Sequence, residues 1–287
     1  MRVSERRSAA LVVRRHHLGM FFVLTFAISW TLWLGLAAAS VPITTTTGAV
    51  LNILAMAGPS IAAVLLTLGL GQLRDLLAGF FLSRLSVGWS VVAVCLPLAM
   101  MAIAIAVSVA FIGASSPHLT VGLLGVLLLE FVRILFLGGP LGEELGWRGF
   151  ALPRLSQQHT ALTSSVLLGL VWGLWHIPLY FVPGTGQNEI LRTGTSPAFA
   201  ISGFVGWTIG LSVLFTWLYN QTRGSLIVVI AFHAAVNLAA FLPAAVGSTG
   251  AAPLLNVLLT WLVALAVILR YGRRTLARAA PRSRLAG

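Results

Sequence analysis

Long apolar runs, broken by short polar or glycine-rich stretches, recur from one end of the chain to the other. A helix needs about 20 apolar residues to cross a bilayer. Eight stretches meet or approach that length: Leu18–Ala39, Gly48–Leu70, Val87–Gly113, Leu119–Leu137, Ala161–Val182, Ala198–Tyr219, Ser225–Leu242 and Ala252–Leu269. The second is interrupted by Gly58-Pro59, and a proline there frees a backbone carbonyl and kinks the helix. Between the second and third, Gln72–Ser86 is mixed in character. Its Leu73, Leu76, Leu77, Phe80 and Phe81 fall at helical spacing, which predicts an amphipathic surface helix. The pattern predicts an all-α fold: a polytopic membrane bundle of about eight transmembrane helices.

Composition agrees. The chain is 58% hydrophobic and 8% charged, with a mean hydropathy of +0.98, whereas soluble domains carry about 25% charged residues. The net charge of +12 is carried by arginine, since lysine is absent. Such a lysine-free chain, rich in Ala, Leu, Gly and Arg, reads as bacterial. The arginines gather at the termini and in short loops and form no basic stripe with aromatics, which excludes nucleic acid as a partner. With eight spans, one side receives the N-terminal tail, Arg74, Arg84, Arg148, Arg154, Arg223 and the C-terminal tail, and the other only Arg192. The positive-inside rule then puts both termini in the cytoplasm, with the plasma membrane as location and the lipid bilayer as first partner. The expected organisation is a basic cytoplasmic tail over 1–17, a transmembrane domain over 18–270 and a second basic cytoplasmic tail over 271–287. The first span ends in LAAAS, like a signal-peptide cleavage site. Its apolar run is longer than a signal core, so it is read as an uncleaved anchor. The one cysteine, Cys95, lies in an apolar run and is expected to be a small buried thiol.

Against this background the stretch Gly138–Pro153, GGPLGEELGWRGFALP, stands out. Of six acidic residues in the chain, two are adjacent here, Glu143 and Glu144. In a helix, Glu144 and Arg148 are i,i+4 neighbours in the favoured order and pair on one face. Glu143 points about 100° away, without a local cation, and is free to serve as a general acid or base. Elsewhere in the spans, Glu130 and Arg133 are i,i+3 neighbours, expected as a structural ion pair facing the bundle. His176 lies in VWGLWHIP, where Pro178 predicts a helix end. His233 and Asn237 project from one helix face and bind either a neighbouring helix or a cavity.

A carboxylate to activate water, a histidine to assist and a His/Asn pair of donors are the parts required for amide hydrolysis. A zinc site would use Glu143, His176 and His233, since two His and a Glu are a known catalytic set. The chain has no H-E-x-x-H, however, and these ligands would come from three separate helices.

E-E-x-x-x-R at Glu143–Arg148, aromatic-x-x-x-H at Trp172–His176 and H-x-x-x-N at His233–Asn237 follow in order on a multi-span helical chain. The pattern resembles the CPBP family, which comprises the CAAX prenyl endopeptidases of the Ras-converting type and the bacteriocin-processing or immunity proteins called Abi. The resemblance covers roughly 119–242. It implies an intramembrane endopeptidase that cleaves a peptide or protein substrate near the cytoplasmic face. Glu143 would activate water, His176 would hold that water, His233 and Asn237 would form the oxyanion hole, and Glu144 and Arg148 would support them. The family has been called both metallo-type and glutamate-type. The glutamate reading, with no cofactor, is favoured over zinc. The second motif usually begins with Phe; Trp172 takes that place here, a swap expected to preserve packing. Prenylated CAAX substrates are eukaryotic, so a different natural substrate is expected. The competing functions are a non-catalytic membrane scaffold or bacteriocin immunity protein, and a transporter with these groups as a proton-coupled site. The transporter lacks support from any inverted repeat.

Overall fold

The computed structural model of the protein describes residues 3–81, 87–248 and 250–278, with side chains from residue 17 onward except that of Phe81. Every regular element among them is helical. In chain order these are α1 (Val3–Ala38), α2 (Thr46–Met56), α3 (Gly58–Gly69), α4 (Leu73–Phe81), α5 (Val87–Ile112), α6 (Leu123–Leu137) and α7 (Pro140–Glu144). A π-helical turn over Leu145–Ala151 leads into α8 (Leu152–Leu155). Then come α9 (Ala161–Trp175), a 3₁₀ turn over Ile177–Phe181, α10 (Gly186–Arg192), α11 (Pro197–Gln221), α12 (Leu226–Ala245) and α13 (Ala252–Tyr271). Seven described stretches are long and apolar enough to cross a membrane, and the bent pair α2–α3 makes an eighth. The protein is a multi-pass helical membrane protein.

Local chemistry sets the helix starts. Thr45, Thr160, Thr185, Ser196 and Ser225 stand at the N-caps of α2, α9, α10, α11 and α12, and each side-chain oxygen accepts a backbone N–H of the first turn. That satisfies one donor that a helix start leaves open.

The predicted break at Gly58-Pro59 is a 47° bend between α2 and α3. Pro59 has no N–H to offer Ala55, four residues back. Ser29 Oγ of α1 donates to that carbonyl instead, at 2.7 Å. Gly58 makes room for this contact, since a Cβ there would lie 2.1 Å from Ser29 Oγ. Trp33 Nε1 of α1 donates to Asn52 Oδ1 at 2.8 Å and fixes the other side of the bend.

Two glycine seams then bring backbones together. Gly142 lies on Ala57 and Gly146 on Pro59, so α7 and the π turn rest on the broken helix. Gly169 and Gly173 of α9 lie on Val205, Thr208, Ile209 and Ser212 of α11, where Thr208 Oγ1 donates to Gly169 O. Between helices in lipid, dispersion and hydrogen bonding replace the hydrophobic effect, and small residues let the backbones approach.

The amphipathic segment is helical over Leu73–Phe81, with Leu76 buried and Leu73, Leu77 and Phe80 packed on the core. The rest of that segment, residues 82–86 with Arg84, lies outside the described residues. The tail expected over 271–287 is docked as far as it is described. The carbonyls of Arg273 and Arg274 accept from the first amides of α9, Asn220 Nδ2 donates to Thr275 O, and Leu276 is buried.

Two expectations fail. Cys95 is exposed, because α5 turns it away from the bundle, and an apolar run does not distinguish a lipid-facing residue from a core one. Glu130 and Arg133 do pair through two hydrogen bonds, but on the outside of α6, with the Arg133 side chain 57% exposed. That helix is peripheral, packing on α12 and α7 and burying only Ile134 among its residues.

The seam at Gly146 gives a test. A Cβ there would meet the Pro59 carbonyl group at 2.5 Å, whereas one on Gly203 of α11 meets nothing within 4 Å. Gly146→Ala is expected to destabilise by about 1–3 kcal/mol, typical of overpacking. Gly203→Ala should leave the melting temperature of the solubilised protein unchanged or raised.

Candidate active site

The two adjacent glutamates are not solvated charges at a membrane border. Glu143 is 3% exposed and Glu144 fully buried, as is Arg148. Both glutamates belong to α7, which starts where Gly139, at φ +104°, turns the chain out of α6. A non-glycine residue is strained at that φ, and a Cβ would also lie 2.6 Å from Glu143 Oε1. The backbone conformation by itself therefore calls for glycine, and a Cβ would in addition displace the Glu143 carboxylate.

The two carboxylates separate as the spacing predicts, although the segment after Glu144 is π-helical rather than α-helical. Single π turns inside helices recur at functional sites. Glu144 Oε1 accepts from Arg148 Nη1 at 2.8 Å and from His233 Nδ1 at 2.7 Å. Arg148 Nε and Nη2 find no hydrogen-bond partner among the described residues. The guanidinium lies instead over the rings of Phe215, at 3.9 Å, and Trp172, at 4.8 Å. Aromatic faces attract a desolvated cation by up to about 2 kcal/mol or more each.

Glu143 has a different partner. Its Oε2 accepts from the indole Nε1 of Trp172 at 2.8 Å. Trp172 lies in the last turn of α9. His176 is the C-cap of that helix, where the chain passes into the Pro178-containing 3₁₀ turn. His176 Nδ1 lies 2.7 Å from Trp172 O. A carbonyl only accepts, so Nδ1 carries the proton, and in the neutral ring Nε2 holds the free lone pair. His233 of α12 likewise commits Nδ1, here to a carboxylate. One turn on, Asn237 Nδ2 donates to Gly138 O at 3.2 Å.

The sequence-predicted residues therefore converge around α7. The Trp172 ring stands edge-on to both histidines, with centroids 5.6 Å from His176 and 5.5 Å from His233. Glu143 lies within electrostatic reach of His233, Glu144 and Arg148. Asn237 bonds the residue next to the glycine that faces Glu143. Sequence reasoning missed three contributors: the Trp172 N–H, the Gly139 backbone beneath Glu143, and the Phe215 ring over Arg148. Only the first two had a signal, an indole in place of Phe and a Gly-Gly pair before Pro140.

A zinc ion at this site would need Glu143, His176 and His233 as a ligand set. Among the described residues no three His, Cys, Asp or Glu side chains are placed to hold a metal ion together.

Fold and site define a class: a multi-pass helical membrane protein with a carboxylate–histidine cluster buried in the bundle, assembled from α7, α9 and α12. Residues 125–239, which contain every member of that cluster, match the family model of the Rce1-like type II CAAX prenyl endopeptidases. The chain is also 36% identical over 111 residues to CAAX prenyl protease 2 of Methanococcus maripaludis. That match covers 38% of this chain and 40% of the relative, so the similarity holds for the site-bearing segment and spans less than half of each protein.

The buried pair gives a prediction. Removing one partner of a buried ion pair typically costs about 3–5 kcal/mol, because the other charge is left uncompensated. Arg148→Ala and Glu144→Ala should each lower the melting temperature of the solubilised protein sharply. The double variant should be less unstable than the sum of the two single effects.

Proposed function

We propose that the chain is an intramembrane endopeptidase that hydrolyses a peptide bond of a membrane-associated substrate near the cytoplasmic face. One observation carries the reading. In the segment that matches the endopeptidase family, Glu143 is buried outside the Glu144–Arg148 hydrogen bond, and its carboxylate is held by Trp172, whose ring meets both His176 and His233. Glu143 takes a proton from water as the water oxygen attacks the carbonyl carbon, and His176 Nε2 orients that water. His233 and Asn237 stabilise the oxyanion. Collapse of the tetrahedral intermediate breaks the C–N bond, and Glu143 returns the proton to the amine. The arginine distribution supports cytoplasmic termini and a place in the plasma membrane.

The probe follows from the name of the Methanococcus maripaludis relative: an internally quenched peptide ending in a farnesylated Cys-aliphatic-aliphatic-X sequence, presented to the full chain in liposomes. The peptide stands in for a natural substrate expected to differ from it, and wild type is expected to cleave it. Glu143→Gln should lower kcat/KM by about 100- to 10,000-fold, the usual contribution of a positioned base, without changing the melting temperature. Equal cleavage by wild type and Glu143→Gln would instead favour the scaffold reading. The reaction proposed here uses no cofactor, so dialysis against a chelator should leave cleavage unchanged. Loss on chelation, with recovery on added zinc, would replace the glutamate mechanism with the metal one.

A further inference from the structure

Trp172 touches three of the residues assigned to the chemistry. Its indole N–H donates to Glu143 Oε2, its carbonyl accepts from His176 Nδ1, and its ring edge meets His233. We propose that Trp172 is a positioning residue: its indole N–H fixes the Glu143 carboxylate and leaves Oε1, over Gly139, as the oxygen that receives the proton from water. This rests on the base role proposed for Glu143.

Three observations carry it. First, the carboxylate has two unequal oxygens. Oε2 is engaged by the indole, while Oε1 faces the glycine, where any side chain would come within 2.6 Å. Second, the bond is not simply what a buried indole requires in this fold. The Nε1 atoms of Trp147, Trp175 and Trp217 are buried with no hydrogen-bond partner among the described residues. Third, the same residue sets the His176 tautomer through its carbonyl. Rotation of the indole would therefore free the Glu143 carboxylate and leave the His176 tautomer in place. A phenylalanine at this position would keep the carbonyl contact and most of the ring packing but could not hold the carboxylate.

The test has a spectroscopic arm and a kinetic arm, both on the full chain in lipid nanodiscs or liposomes. The ¹⁵N-indole resonance of Trp172 is assigned by its disappearance in Trp172→Phe. Glu143→Gln should move that resonance, because a neutral amide oxygen accepts more weakly than a carboxylate. An unmoved resonance refutes the bond. In the quenched-peptide assay, Trp172→Phe should lower kcat about tenfold or more, as expected for a hydrogen bond to a charged group, with KM unchanged. An unchanged kcat, or a loss confined to KM, overturns the positioning role. If Trp172→Phe does not fold, replacing the indole by benzothiophene keeps both rings and removes only the N–H, and the same fall in kcat is expected. If Glu143→Gln cleaves as well as wild type, the endopeptidase reading fails and the positioning role falls with it. The indole resonance still reports on the bond separately.

Discussion

The burial of a full ion pair at Glu144 and Arg148 constrains everything around it. Taking a carboxylate and a guanidinium out of water costs several kcal/mol per ion even after relaxation. In a bundle surrounded by lipid there is little solvent to share that cost. Arg148 Nη1 and His233 Nδ1 meet one oxygen of Glu144, and the rings of Phe215 and Trp172 cover the guanidinium. The charges are thus met from the π turn, α9, α11 and α12 at once. None of those elements can shift far without leaving a charge exposed to apolar surroundings. This is how a membrane bundle, lacking a hydrophobic drive between its helices, holds a polar site at fixed geometry.

The same constraint explains why so much backbone proximity is built around the break between α2 and α3. A buried carboxylate site needs close walls, and the walls here are backbone. Gly142 and Gly146 seat α7 and the π turn on Ala57 and Pro59, and Gly139 leaves the space beside Glu143 Oε1. The break itself is stable because Ser29 replaces the hydrogen bond that Pro59 cannot make. A local defect in one helix becomes the surface on which the site-bearing helix rests.

Much of this was legible in the sequence. The apolar periods set the spans, Pro59 the bend, Pro178 the end of α9, and the spacing of Glu144 and Arg148 their pairing. What periodicity could not give was the direction that each helix faces. In a membrane, lipid and protein core are equally apolar, so Cys95 and the Glu130–Arg133 pair carried no sign that they point outward. The Trp172 contact was hidden for a different reason. Judged by packing, Trp and Phe are near equivalents, and the distinguishing N–H matters only once Glu143 is known to lie opposite it.

The two histidines repeat the division seen in the two carboxylates. Both are held by Nδ1, but by opposite kinds of acceptor: a neutral carbonyl for His176 and the Glu144 carboxylate for His233. A ring held by a carbonyl offers a lone pair at Nε2, which suits it to accept a hydrogen from water. A ring held by a carboxylate lies against a negative charge that Arg148 shares. Glu144 thus holds Arg148 and His233 through one oxygen, and Trp172 holds Glu143 through its indole N–H. In the proposed reaction the adjacent glutamates need different neighbours, because a base and a counter-ion are opposite demands on the same group. The chain meets both by giving Glu143 a neutral donor and Glu144 a permanent cation.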